Sequence, residues 1–302
     1  MTKIEWADVT WNPITGCTRV SPGCEICYAE RFSHRLNSQG NKYYLRTTRN
    51  SGKWSGKVLF HEDRLEEPYR WKKPRTVFVC SMSDLFHEDV PREWLYKIFG
   101  MMGSEEVGHH AFIVLTKRAK RMEEFCNSFT RHGAPFGDLF PRVWLGVSVE
   151  DQAHADERIP HLLKVPAAVR FLSVEPLLGP ISFEKVKVPA EGWMPFGEQI
   201  HWIIAGGESG PGARACHLDW LRSIRDQCAG AGVPFFLKQL GSEPWDARVF
   251  KEGSLPSGMV TITAPGPVMD GHGRKKRSGE LALLDGELHH EWPLVASEAG
   301  CD

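Results

Sequence analysis

The sequence predicts an α/β fold built on a parallel sheet, open or barrel-like. Three observations carry this. Apolar runs of strand length recur at Val77–Cys80, Ala111–Leu115, Val143–Val149, Val169–Val174, Trp202–Ala205 and Pro234–Leu237. They are apolar on consecutive positions, not alternate ones, which is the pattern of strands covered on both faces. Their starts lie 26 (Val143 to Val169) to 34 (Val77 to Ala111) residues apart, the size of a strand–helix unit. Helix-like segments fill the gaps, and right-handed crossovers then set successive strands side by side.

Each element follows in order. A short first strand is expected around Asp8–Trp11, then a cysteine loop, then a helix from about Tyr28 to Leu36. Residues 38–75 are rich in Gly, Ser and basic side chains and have weak periodicity. They read as an insertion with a short strand at Val58–Phe60 and a short helix near Asp63–Tyr69. Pro91 opens the next helix at a first-turn position, where its missing N–H costs nothing. Lys120–Thr130 sets Met122, Phe125 and Phe129 at helical spacing, and Gln152–Leu163 carries a narrow apolar stripe. Asp219–Ala229 holds Trp220, Leu221, Ile224 and Cys228 at helical spacings, with Gly230 and Gly232 as stops. Residues 183–199 read as a second insertion. After Gly241 the rhythm ends. The tail has a basic run at Arg274–Arg277 and an apolar patch at Leu281–Leu284. Residues 1–240 are therefore expected to form the barrel-like domain, with 241–302 an irregular extension packed on it.

Composition bounds the function. With 41% hydrophobic and 25% charged residues the chain can bury a globular core. A net charge of −1 gives no global field toward nucleic acid. The local basic clusters Arg70–Arg75, Lys117–Arg121 and Arg274–Arg277 read first as solvated faces. No apolar run approaches the roughly 18 residues of a membrane span. The start, MTKIEWADVTW, lacks the apolar core of a secretory signal. Eight cysteines with three clustered do not resemble a disulfide framework, so a cytoplasmic home is expected.

The clustered cysteines are Cys17, Cys24 and Cys27, spaced C-x6-C-x2-C. Three soft thiolates suit a thiolate-loving metal or an iron–sulfur cluster. A closed tetrahedral zinc site needs four ligands. His34 is the one nearby candidate for a fourth, and a Cys3His zinc site is the structural alternative to a metal with an open position. His109-His110 precedes a strand without a third nearby ligand and reads as core or surface. The sequence has neither a G-x-S-x-G elbow nor an H-E-x-x-H helix.

Every apolar run ends in polar residues: VFVC-SMSD, FIVL-TKR, LGV-SVE, RFL-SVEP, IIA-GGESG and FFL-KQ. In parallel barrels the C-terminal strand ends form the active face. Strand alternation puts Ser148 and Glu150 on one face, and likewise Ser173 and Glu175. Asp84, Lys117 and Glu208 are expected to converge with them on one polar pocket. The opposing reading makes these residues helix caps and solvated loops. Gly206-Gly207-Glu208 either allows close approach of a ligand or simply makes the turn.

The runs KIEWADVTWNPITGCTRVSPGCEICYAERF, VFVCSMSDLFHEDVP, FIVLTKRAKRM, VWLGVSVEDQAHADERIPHLL, RFLSVEPLLGPI and IIAGGESGPGARACHLDWLRSIRDQC resemble a phage- and mobile-element-associated three-cysteine family. That family is a domain of unknown function, and it resembles in turn the radical S-adenosylmethionine (SAM) superfamily. The resemblance covers most of residues 3–240. It implies a partial parallel (β/α)6 TIM-like barrel in which Cys17, Cys24 and Cys27 hold three irons of a [4Fe–4S] cluster. The fourth iron chelates SAM. One-electron reduction, from a donor such as flavodoxin or ferredoxin, cleaves SAM to a radical that abstracts a substrate hydrogen. Two departures stand out. The superfamily's common first gap is x3, so three residues here, including Pro22 and Gly23, are looped out. Its Gly-Gly-Glu near the second strand is replaced by Ser81-Met82-Ser83-Asp84. The resemblance then assigns Ser83 and Asp84 to the SAM ammonium and Lys117 or Arg118 to its carboxylate. Glu150, Glu175 and Glu208 are the candidate catalytic residues, for the SAM ribose or the substrate, and Ser148, Gly206 and Gly207 are further candidates for cofactor binding. A nucleobase or nucleic acid is a candidate substrate. The competing classes are a zinc-stabilised nucleic-acid-processing or binding protein, and a cluster-bearing redox or scaffold protein without SAM turnover.

Overall fold

The computed structural model describes residues 4–129, 134–186, 196–245 and 282–293. Seven strands form one all-parallel curled sheet. They are β1 (Val9–Trp11), β2 (Thr76–Val79), β3 (Ala111–Thr116), β4 (Val143–Ser148), β5 (Val169–Val174), β6 (Trp202–Gly206) and β7 (Phe235–Gln239). Their order across the sheet is their order in the chain. With helices interleaved, this is a TIM-like partial barrel. The helices α1 (Tyr28–Ser38), α2 (Arg92–Met102), α3 (Ala119–Ser128), α4 (Gln152–Leu163) and α5 (Leu218–Ala231) follow β1, β2, β3, β4 and β6. Between β5 and β6 the described chain offers only a 3-10 turn at Phe183–Lys185 and a one-turn helix at Phe196–Gln199. The chain thus takes six steps from strand to strand and ends on a seventh.

Both sheet faces are apolar, which explains the unbroken apolar runs. Val77, Val79, Phe112, Val114, Leu145, Val147, Leu172, Ile203 and Leu237 pack outward with the helices. The alternate residues Phe78, Ile113, Trp144, Phe171, Trp202, Ile204 and Phe236 pack together with Trp6 on the inner face. Helix α4 spans the expected residues, starting where Asp151 caps it by accepting from the His154 amide. Helix α5 ends at Gly232, which takes the left-handed φ of +67°.

The described part of the C-terminal extension covers the β7 edge. A hairpin at Leu283–Leu288 turns at Asp285-Gly286, both at positive φ. The Leu237 amide then donates to His289 O at 2.7 Å, and Glu291 N donates to Phe235 O. Trp292 stacks on Trp202, and His290 stacks on Phe236. A free parallel edge is thereby paired and shielded. Thr130, Arg274–Arg277, Leu281, most of the 183–199 insertion and Cys301 lie outside the described residues. No helix of the described residues is long and apolar enough to cross a membrane.

The 38–75 insertion supports the cysteine loop. Its strand Leu59–Phe60 pairs antiparallel with Ile14–Thr15, just ahead of Cys17. His61 Nε2 lies 2.9 Å from Thr15 Oγ1 at the same place.

Candidate functional site

The three cysteines sit on the connection from β1 to α1, at the C-terminal end of the barrel. Their thiols are free and partly buried. Cys27 is the N-cap of α1, and the amides of Ala29 and Glu30 favour its thiolate, although burial dominates and pushes its pKa up. Burial also pushes the Cys17 thiol up, with Asp84 adding and Arg118 opposing. Among the described residues, no three His, Cys, Asp or Glu side chains gather around a single-ion position. His34 turns toward Thr48 Oγ1 at 3.4 Å and lies against Gly52.

The barrel fastens this loop at three strand ends. After β3, Arg118 donates through Nη2 to Thr18 Oγ1 (2.6 Å) and places Nη1 3.9 Å from Cys17 Sγ. After β4, Glu150 Oε1 accepts from Ser21 Oγ at 2.6 Å and from Lys117, while Oε2 accepts from Arg158 at 3.0 Å. Gly23 is required here, because a Cβ would lie 2.5 Å from Glu150 Oε1. After β6, Glu208 holds Arg214 through both oxygens, and Arg214 Nη2 donates to Pro22 O at 2.9 Å. Ser21, Pro22 and Gly23 lie in the widened first gap. The looped-out residues are therefore docked on the barrel.

Electrostatics agree with this geometry. Burial opposes the charge of Glu150, but Lys117, Arg158 and Ser21 together hold its carboxyl below the usual range. Burial likewise opposes Glu208, and Arg214 outweighs it. Burial works against Arg118 too, yet Asp84, Cys17 and Glu88 keep it firmly charged.

Several expected ligand-binding groups are thus already engaged. Asp84 accepts from Thr116 Oγ1, Phe86 N, Lys117 N and Arg118, leaving no free position for a SAM ammonium. Ser83 Oγ donates to Ile14 O, tying the β2 end to the loop. Lys117 is bound to Glu150 and Arg118 to Asp84 and Glu88, so neither holds an idle charge for a carboxylate. Gly206 makes room for Glu175, whose Oε1 would lie 2.9 Å from an added Cβ; at Gly207 a Cβ would meet Leu240 O at 2.4 Å. Close packing alone accounts for that glycine pair.

What remains open is the inner face of the mouth. Ser148, Ser173, Glu175 and Lys238 share the inner-face parity of their strands or of the residues that follow them. Ser148 and Ser173 stand opposite each other in register, and neither hydroxyl has a hydrogen-bond partner among the described residues. Glu175 Oε1 is buried without a hydrogen bond among the described residues. Lys238 Nζ lies 3.0 Å from it but out of line, so the contact is an ion pair only. Tyr28, directly after Cys27, is half exposed, with its hydroxyl donating to Ser81 O. Sequence reasoning missed Lys238, Tyr28, Ser21, Arg158 and Arg214. Arg158 left a trace: it occupies the buried stripe of α4 with Ala155, Ile159 and Leu162.

A family model described as "Protein of unknown function (DUF5131)" matches residues 1–293. The chain belongs to this family. The family description carries no activity, so chemistry for this DUF5131 protein has to come from its site. No curated protein and no solved structure matches the chain.

Proposed function

We propose that this protein is a radical-SAM-type enzyme in which Cys17, Cys24 and Cys27 hold a [4Fe–4S] cluster beside the barrel mouth. The observation that carries the reading is a three-thiol loop, fastened to three strand ends, next to a mouth that keeps unpartnered polar groups. The donor set fits the group. Each cysteine of such a cluster binds a different iron, so the thiols need not converge on one ion position. Arg118 near Cys17 and the helix amides at Cys27 work toward the thiolates, against the burial that raises both thiols. When bound and reduced, the cluster and SAM supply hydrogen-atom abstraction.

The chain's own residues divide the remaining work. Arg118, Glu150 and the Arg214–Glu208 pair position the loop. Ser148, Ser173 and Glu175 offer hydrogen-bonding groups for SAM or the substrate. Lys238 forms an ion pair with Glu175 at the mouth. A nucleobase or nucleic acid is the proposed substrate class, with flavodoxin or ferredoxin as the electron donor.

The test is anaerobic reconstitution followed by metal analysis and a SAM-cleavage assay. Four irons with matching sulfide, reductant-dependent SAM cleavage, and loss of both in Cys24→Ala are expected. One zinc per chain, or full iron retention in Cys24→Ala, overturns the reading. Iron without SAM cleavage leaves a redox or scaffold protein instead.

A further inference from the structure

A cleft of about 540 Å³ opens on the outer rim of the barrel, where Val20 of the cysteine loop meets α2, α3 and α4. The site described above does not use it. It takes in the basic run Lys117–Arg121, which reads as a solvated face from sequence alone.

The charges in the cleft are unequal in their freedom. Lys117 and Arg118 reach it, but Glu150, Asp84 and Glu88 already answer them. Arg92, Lys120 and Arg121 have no carboxylate partner among the described residues. Among the described residues the Arg92 side chain hydrogen-bonds only Ser128 Oγ, at 3.4 Å. Among the described residues the Arg121 guanidinium donates only to the carbonyl oxygens of His87 and Val90. Lys120 is exposed, with neither an ion pair nor a side-chain hydrogen bond among the described residues.

Position along the helices sorts these residues. Arg92 is the first residue of α2, and Lys120 and Arg121 lie in the first turn of α3, at the rim. The carboxylates Glu124 and Glu157 also line the cleft, but in the second turns of α3 and α4. The cations without a carboxylate partner thus gather at the helix starts, and Glu124 and Glu157, both exposed, stand one turn further along. Helix α3 begins without a side-chain cap from Arg118 and without an acidic residue in its first turn; Thr116 Oγ1 takes the Arg118 amide, and the amides of Ala119, Lys120 and Arg121 meet no acceptor among the described residues. Three unanswered cations beside such a helix start match a group with several oxygens and more than one negative charge. A carboxylate would leave part of that charge unpaired.

We infer that this rim cleft binds phosphate carried by the substrate, either the multiply charged phosphate end of a nucleotide or successive phosphodiesters of a single nucleic-acid strand. The inference rests on the reading above only for the claim that the anchored molecule is the substrate. Phosphate binding itself needs neither cluster nor SAM. With a formal net charge of −1 the chain has no global attraction for polyanions, so binding must come from this local cluster.

The test uses the full chain as purified and a fluorescein-labelled single-stranded oligonucleotide, read by anisotropy over a salt series, with inorganic pyrophosphate as competitor. Wild type should bind, and pyrophosphate should compete. Arg92→Ala with Lys120→Ala should weaken binding about tenfold and flatten the log–log salt slope by about 1.4, roughly 0.7 for each phosphate left without its cation. Lys120→Arg should restore most of its share, and Lys42→Ala, a distant exposed cation, should change nothing. Strand binding identifies a nucleic acid as the source. Pyrophosphate binding without strand binding identifies a nucleotide. Failure of both ligands to bind wild type, or an unchanged affinity and slope in the double variant, overturns the inference. Because SAM cleavage is assayed separately, the phosphate site and the radical chemistry fail independently.

Discussion

Ser148-Val149-Glu150 at the end of β4 and Ser173-Val174-Glu175 at the end of β5 are the same three residues on neighbouring strands, with Ser148 opposite Ser173. Their glutamates meet different fates. Glu150 is fully buried and accepts from Ser21, Lys117 and Arg158. Among the described residues Glu175 has one ion-pair contact and a buried oxygen without a hydrogen bond. Local sequence chooses the strand and the face, whereas the long-range partners choose the role. A saturated carboxylate holds structure; an unsatisfied one beside an opening is where a ligand gains most from binding.

The sharpest way to break that contrast is to delete each carboxylate. Glu150→Ala leaves Arg158, only 2% exposed, without its counter-charge. Loss of one partner of a buried pair costs about 3–5 kcal/mol. Glu175→Ala frees Lys238, whose side chain already reaches solvent, so its cost should be roughly 0–1 kcal/mol. Urea midpoints of the cluster-free proteins measure both. Equal losses would show that the two glutamates do the same job.

The fold was legible because it depends on local pattern. All seven strands and α4 follow from apolar runs and spacing, since a doubly covered strand must be apolar throughout. The cysteine loop was legible as a motif but not as a docked object. Ser21 meets Glu150 across 129 residues, and Arg214 meets Pro22 across 192. No spacing rule carries such pairs. Glu150 and Glu208 consequently read as ligand-binding groups, while the geometry makes them loop anchors. Lys238 escaped because a lysine at a strand end reads as solvated until its neighbour across the sheet is known.

A second contrast concerns the proposed metal centre. Groups that orient a ligand loop typically contribute about 10–100-fold to metal affinity. Arg214→Ala and Glu150→Gln should therefore release iron at correspondingly lower chelator concentration than wild type. Glu175→Gln should retain iron as wild type does. Equal retention in all three variants would mean that the loop holds its geometry without the barrel.

pH gives a third, smaller handle. The folded pKa of Glu150 lies below its ordinary value of 4.5. Its stabilisation is complete above the unfolded value and is lost as pH falls through the lower folded value. The stability gap between wild type and Glu150→Gln should therefore be constant near neutrality and shrink below pH 4.5. Urea midpoints of the pair, taken across that range, isolate this group from other carboxylates. A gap that widens on acidification would reverse the assigned sign.

The smallest effect on stability should come from the paired serines, and it bears most directly on ligand binding. Neither Ser148 nor Ser173 has a hydroxyl partner among the described residues, so Ser148→Ala and Ser173→Ala should each change stability by no more than about 0.5 kcal/mol. If SAM lies along the Glu175 side of the mouth, Ser173→Ala removes one ligand hydrogen bond, worth about 1 kcal/mol or roughly fivefold in affinity. Ser148→Ala, beside the occupied Glu150, should lose less. Calorimetric titration of SAM into reconstituted protein separates the two. The opposite order would move the ligand toward Glu150, and no change in either variant would leave both hydroxyls to water and remove the inner face from the SAM site.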